Sequence, residues 1–236
     1  MGPELVTLTL WGVPRAAVPL AAARMGLDRR HLRRAPGLRF AKLLGTGDGD
    51  TFTVRDADPL HWGLLAAWDS AAAVQAFAAS ATTRGWDRLA RERLDVTMAP
   101  LASRGRWAGR EPFGDPAPRR VAGPVAALTR ARIRPRKART FWRAVPPVSA
   151  SLAGAPGLAL AVGIGEAPIG LQGTFSLWRC AAAVRDFAYA GAAHLEAVRR
   201  TATEDWYAEE LFARFEVLAV QGTFKGRTPD VGPAAA

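Results

Sequence analysis

The sequence predicts an α+β protein built from two tandem ferredoxin-like units that close into a pseudo-dimeric α+β barrel. Two observations carry this expectation. First, the chain repeats itself: LAAWDSAAAVQAF (65–77) matches FSLWRCAAAVRDF (175–187), pairing Trp68 with Trp178 and Phe77 with Phe187 at an offset of 110. APGL (35–38) recurs at 155–158, an offset of 120, and GRWAGREP (105–112) recurs as GTFKGRTP (222–229), an offset of 117. Three anchors in one order indicate a tandem duplication. Second, each copy reads as β-α-β-β-α-β, the ferredoxin-like arrangement. Its antiparallel sheet carries helices on one face only, so two copies packed sheet against sheet cover each other.

The elements follow in order. LVTLTLW (5–11) alternates apolar and polar residues and is rich in β-formers, hence a strand. Pro14 suits a first helical turn, and the Ala-rich run to about Met25 continues a helix. LRFAKLLG (38–45) is the second strand, closed by the turn GTGDGD, and HWGLLAAW (61–68) is the third. Asp69 or Ser70 caps a helix expected from Ala71 to about Arg93. VTMAPLAS (96–103) is a fourth strand, imperfect because Pro100 removes a ladder donor. The second unit repeats the plan with VAALTRARI, a helix from about Pro135, LALAVGI, GTFSLWR, a helix from near Ala181, and FEVLAVQG. EPFGDPAPRRVAGP (111–124), dense in Pro and Gly, joins the units. The expected division is a first unit 1–112, a linker 113–124, a second unit 125–227 and a disordered tail 228–236.

Composition excludes several classes. Of the 236 residues 49% are hydrophobic and 22% charged, as in an ordinary globular protein. There is no run of 18 apolar residues, and MGPELVTLTLWGVP lacks the basic and apolar regions of a secretory signal. Cys180 is the single cysteine, so no intrachain disulfide or cysteine metal cluster forms. A cytoplasmic location is expected, with peripheral membrane contact open. The net charge of +11, carried almost wholly by arginine, favours an anionic partner such as nucleic acid, lipid headgroups or an acidic protein. The basic residues are scattered, which an Ala/Arg-rich composition also explains.

Few motifs carry chemistry. GTGDG (45–49) lacks the G-x-x-x-x-G-K-[ST] pattern of a phosphate loop and reads as a turn. No G-x-S-x-G, H-E-x-x-H or C-x-x-C occurs, and no flavin or nicotinamide fingerprint. RGRWAGREPF (104–113) mixes arginine with aromatics, but the RNP1 pattern is absent, so nucleic acid is not expected as a partner.

His194 is the residue that stands out. In a helix beginning at Ala181, Val184, Phe187, Gly191, His194 and Val198 form a 3-4-3-4 stripe aimed at the sheet. Gly191 costs such a helix about 1 kcal/mol relative to Ala, so either the helix breaks there or a bulky flat object needs the clearance. At the offset of 110 the first unit has Arg84, so whatever His194 does is done in one half only. With His31 and His61 far away in sequence, His194 does not belong to a zinc site of three or four protein ligands. A haem needs only one protein ligand and an apolar slot, which Phe187, Tyr189, Trp206, Tyr207, Phe212 and Phe215 are able to line. A core histidine bonded to a backbone carbonyl fits the same spacing. Strand alternation also places Lys42, Ser176 and Trp178 as candidates for a substrate-facing, catalytic surface.

LLGTGDGDTF (43–52), LLAAW (64–68), RGRWAGREPF (104–113) and HLEAVRRTATEDWYAEELFARF (194–215) resemble the spheroidene monooxygenase family of carotenoid biosynthesis. The resemblance implies a haem-dependent monooxygenase that uses O2 to oxygenate a lipophilic substrate such as an acyclic carotenoid. It implies His194 as the iron ligand, with the cofactor held by Phe187, Gly191, Val198, Arg199, Arg214, Trp206 and Phe215. Arg199, Arg200 or Arg214 would meet the propionates, and Glu209 or Glu210 would orient the ring of His194. An external electron donor is implied as a partner. The alternative is a barrel that binds haem or a small ligand without oxygenase chemistry.

Overall fold

A computed structural model describes residues 2–48, 56–117, 119–137, 140, 151–152, 154–166, 173–190 and 206–232. The first unit contains β1 (Leu5–Gly12), α1 (Val18–Leu32), β2 (Leu38–Gly47), β3 (Ala57–Trp68), α2 (Ala71–Ala78), α3 (Ala81–Asp87) and β4 (Glu92–Gly105). The second contains β5 (Val125–Ile133), β6 (Leu158–Gly165), β7 (Gly173–Trp178), α4 (Ala181–Ala190) and β8 (Tyr207–Gly222). The eight strands form one closed barrel in the order β1-β3-β2-β6-β7-β5-β8-β4. Each unit keeps the ferredoxin-like order, 4-1-3-2, and the units meet edge to edge at two seams. One is the short β2–β6 pairing, Gly45↔Gly165 to Gly47↔Gly163. The other is the long β4–β8 pairing, Leu94↔Gly222 to Gly105↔Leu211. Closure leaves neither unit with an unpaired edge.

Alternation along the strands sorts the side chains into layers. Leu8, Leu10, Val96, Leu128, Phe175 and Phe215 fill the barrel interior. Trp11, Met25, Leu43, Trp62, Leu64 and Trp86 fill the space between the outer face of the first sheet and its helices. Trp68 and Trp178 are each 1% exposed, at the ends of β3 and β7. Trp68 packs on Phe77 at 4.9 Å and Trp178 on Phe187 at 5.4 Å, so the strongest anchors of the repeat occupy matching places.

Several boundaries differ from expectation. The expected helix from Ala71 to Arg93 is two short helices, and the chain is already strand at Glu92. Ser80 Oγ accepts from Thr83 N at 3.2 Å while Thr83 Oγ1 donates to the Phe77 carbonyl at 2.8 Å, a local alternative that interrupts the helix. In contrast, α1 runs on to Leu32, because Asp28 extends its buried stripe and pairs with Arg24 at 3.1 Å. Gly45–Gly47 of the supposed turn remain in β2, since the β2–β6 seam supplies their partners. Pro100 sits inside β4 beside a register shift, where a missing donor is tolerated. The linker is anchored: Phe113 is buried and meets Phe215 edge-on at 4.9 Å. The tail expected to be disordered is fixed as far as Gly232, where Val231 packs on the barrel core and Asp230 pairs with Arg179.

Candidate active site

The two units are alike in strand register and unlike in the side chains that their sheets present on the outer face. Thr9 pairs with Leu64 in the first unit, as Thr129 pairs with Thr174 in the second. Leu43 likewise pairs with Leu64, as Gly163 pairs with Thr174. By this register Trp11 corresponds to Ala131, Leu43 to Gly163 and Leu64 to Thr174. In the first unit these positions are a solid wall: Trp11 stacks on Trp86 at 5.2 Å, and Trp62 lies 6.5 Å from Trp86. In the second unit the same wall is stripped to Ala131, Gly163 and Thr174, with Ala127, Thr129, Ala161 and Ser176 beside them. A dense interior is the rule, so bulk removed from one copy of a duplicated layer marks room for something else. One end of this floor is closed by Val125, Leu158, Val184, Phe187 and Trp178. Trp178 Nε1 donates to the buried Ser176 Oγ at 2.8 Å, which fixes both side chains on the floor.

A flat, largely apolar group fits a surface of this make-up, with few polar atoms to desolvate. His194, Gly191, Val198, Arg199 and Arg200 lie outside the described residues. Arg84, the offset match to His194, is exposed on α3 and bonds the Ala79 carbonyl. The first unit is therefore closed by its tryptophans, and Arg84 is not what fills it. Phe187, Ser176 and Trp178 share the helix side of the second sheet. Lys42 and Phe215 do not, because both point into the barrel, on the far side of the wall. Arg214 is exposed on β8, and Trp206 is buried next to the end of β5, its carbonyl accepting from Arg134 N at 2.8 Å. Among the described residues no group of three His, Cys, Asp or Glu side chains is placed to hold a metal ion.

Sequence reasoning missed a charged network inside the barrel. Arg130, at the position of Leu10 in the first unit, has a side chain only 5% exposed and lies between Glu166, 3.1 Å away, and Glu209. Lys42 pairs with the same Glu166, whose other oxygen accepts from Trp107 Nε1. Burial pushes the Glu166 pKa up, but Lys42, Trp107 and Arg130 together outweigh it and hold the carboxylate ionised. Glu209 also accepts from Ala108 N at 3.0 Å and Gly109 N at 2.7 Å, so it clasps the turn of the other unit and is not free to orient a histidine. Glu92 makes the matching clasp on Lys225 N and Gly226 N at 3.1 and 3.0 Å. Each clasped turn follows a glycine, Gly105 or Gly222, with φ of +93°, where a Cβ would lie 2.2 or 2.0 Å from a carbonyl oxygen across the seam. Comparing Leu10 with Arg130 and Trp11 with Ala131 at the 120 offset was the available signal for both features.

No protein-family model matches the chain. Among curated proteins, it is 37% identical over 220 residues to spheroidene monooxygenase of Rhodobacter capsulatus, covering 91% of this chain and 90% of that one. It is 44% identical over 228 residues to spheroidene monooxygenase of Rubrivivax gelatinosus, covering 96% and 87%. A solved heme-degrading enzyme from Listeria monocytogenes aligns over 89% of this chain and 99% of its own with 11% identity and a TM-score of 0.31, a distant likeness. Sequence identity at that level across nearly the whole of both curated relatives makes the chain a member of the spheroidene monooxygenase family.

Proposed function

We propose that this monooxygenase-family protein is haem-dependent and places one oxygen atom of O2 on a lipophilic substrate such as an acyclic carotenoid. The observation that carries the reading is the cleared floor of the second unit: Ala131, Gly163 and Thr174 stand where the first unit has Trp11, Leu43 and Leu64. In this reading His194 supplies the one protein ligand, and Phe187 with Trp178 closes one end of the slot. When bound, haem supplies the redox chemistry that activates O2. The second oxygen atom leaves as water, which requires two electrons from an external donor. The chain's own contribution is to exclude water with an apolar floor and to keep Ser176 satisfied, so that no free hydroxyl faces the reacting centre. The Arg130–Glu166–Glu209 network lies inside the barrel, behind that floor.

The test is spectroscopic first and chemical second. Purified protein titrated with haem should give a Soret band that His194→Ala loses or strongly shifts, while His31→Ala and His61→Ala keep it. Ala131→Trp, which rebuilds the first unit's wall in the second, should abolish haem uptake with the melting curve retained. Turnover with reductant, an acyclic carotenoid and 18O2 should add one labelled oxygen atom. An unchanged Soret band in both His194→Ala and Ala131→Trp, or no haem uptake by the wild-type protein, overturns the reading.

A further inference from the structure

We infer that the outer face of α1 is a docking surface for an anionic lipid bilayer. The inference rests on the proposed lipophilic substrate only for the use of such docking; the surface itself is argued from its residues. Large hydrophobic side chains are exposed at three places among the described residues, Leu20 (51%), Leu27 (64%) and Leu218 (47%). Two of the three lie on α1, seven residues apart and so on one face, about 10 Å from each other along the axis. Leu20, Ala23, Leu27, Arg30 and, in the turn just beyond the helix, Arg34 continue that face at 3-4-3-4 spacing, and all are exposed. The opposite stripe, Ala21, Met25, Asp28 and Leu32, is buried against the first unit.

Charge decides what this face meets. The segment 15–39 contains seven arginines and one acid, Asp28. That acid is buried and faces Arg24, so it does not neutralise the outer face. Arg29, Arg30, Arg33 and Arg34 are exposed, and no acidic side chain among the described residues pairs with them. A helix face that carries Leu20 and Leu27 and ends in Arg30 and Arg34, with no acid against it, matches an interface, with leucines among the acyl chains and guanidinium groups at the phosphates. Nucleic acid has no use for the two leucines. A second copy of the chain would bring arginine to arginine with no acid between them. No described helix is long and apolar enough to cross a membrane.

The test is co-sedimentation of the full chain with vesicles of phosphatidylcholine containing 30% phosphatidylglycerol and with phosphatidylcholine alone, at low and high salt. Wild-type protein should pellet with the anionic vesicles and be released by salt. Each neutralised arginine should weaken binding about fivefold, so Arg29→Gln/Arg30→Gln/Arg33→Gln/Arg34→Gln should stay in the supernatant. Leu20→Ser/Leu27→Ser should weaken binding by roughly tenfold or more, with salt dependence retained. All these positions are exposed, and an unchanged melting temperature and haem titration separate a docking failure from a folding or cofactor failure. Full binding by the four-arginine variant overturns the inference. So does full binding by the leucine variant, or tighter binding to a DNA duplex than to the anionic vesicles; either result points to a purely ionic partner.

Discussion

Glu209 and Glu92 occupy matching places in the two units and clasp matching turns, yet their removal should have different costs. Glu209→Ala loses the Ala108 and Gly109 amide bonds, at an exposed turn where water replaces them. It also removes a carboxylate from Arg130, whose side chain is 5% exposed. Breaking a buried pair by deleting one partner costs about 3–5 kcal/mol. Here Arg130 keeps Glu166 at 3.1 Å, which places the whole loss near the lower end, about 3–4 kcal/mol. Glu92→Ala also loses two amide bonds, with the Thr223 hydroxyl at 3.0 Å and His61 Nε2 at 2.9 Å. His61 keeps Asp58 at 2.7 Å and Lys225 keeps Asp48, also at 2.7 Å, so no buried charge is stranded. The expected cost is about 1–2 kcal/mol. Equilibrium urea unfolding at pH 7, with m-values unchanged, measures both. At about 2–4 °C per kcal/mol for a chain of this size, Glu209→Ala should melt roughly 6–16 °C lower and Glu92→Ala roughly 2–8 °C lower. Adding Arg130→Met to Glu209→Ala should restore much of the loss. Equal costs for the two glutamates, or a larger one for Glu92, would refute the assignment of the burden to Arg130.

Trp68→Ala and Trp178→Ala should each cost about 3–5 kcal/mol, as for any large buried aromatic, and should lower one shared melting transition because the barrel joins both units. Two separate transitions in calorimetry would contradict that coupling. Burial pushes the His61 pKa down, but its hydrogen bonds to Asp58 and Glu92 outweigh this and hold it above 6.5. Its contribution is therefore complete below pH 6.5 and lost as pH rises through the raised value, so the melting temperature difference between wild type and His61→Asn should shrink in alkaline buffer. Asp58, burial notwithstanding, is held at about 2 by His61, the Leu60 amide and Lys225. Its contribution is present above 3.8 and lost as pH falls through about 2, and Asp58→Asn should remove that acid-side dependence.

The duplication was legible in the sequence because the residues that repeat, Trp68/Trp178 and Phe77/Phe187, are the packing that each unit needs on its own. Strand identity was legible for the same reason: period-two alternation reports burial on one face, and burial is local to the strand. Helix ends were less so. The break at Ser80 turns on hydroxyls competing for backbone groups, a choice that the Ala-rich pattern around it does not record. Tertiary structure alone decided which faces met. Lys42 and Ser176 both alternate correctly in their strands, yet closure of the barrel puts Lys42 inside and Ser176 outside, since alternation tells two faces apart without saying which one is enclosed. Glu209 meets Arg130, 79 positions away, through the β5–β8 pairing, and it reaches Ala108 and Gly109 of the other unit, 101 and 100 positions away, only because of the β4–β8 seam. The cleared floor of the second unit was written in the sequence as Ala131 and Gly163. It became readable as a site only when the strand register showed which bulky residues of the first unit they replace.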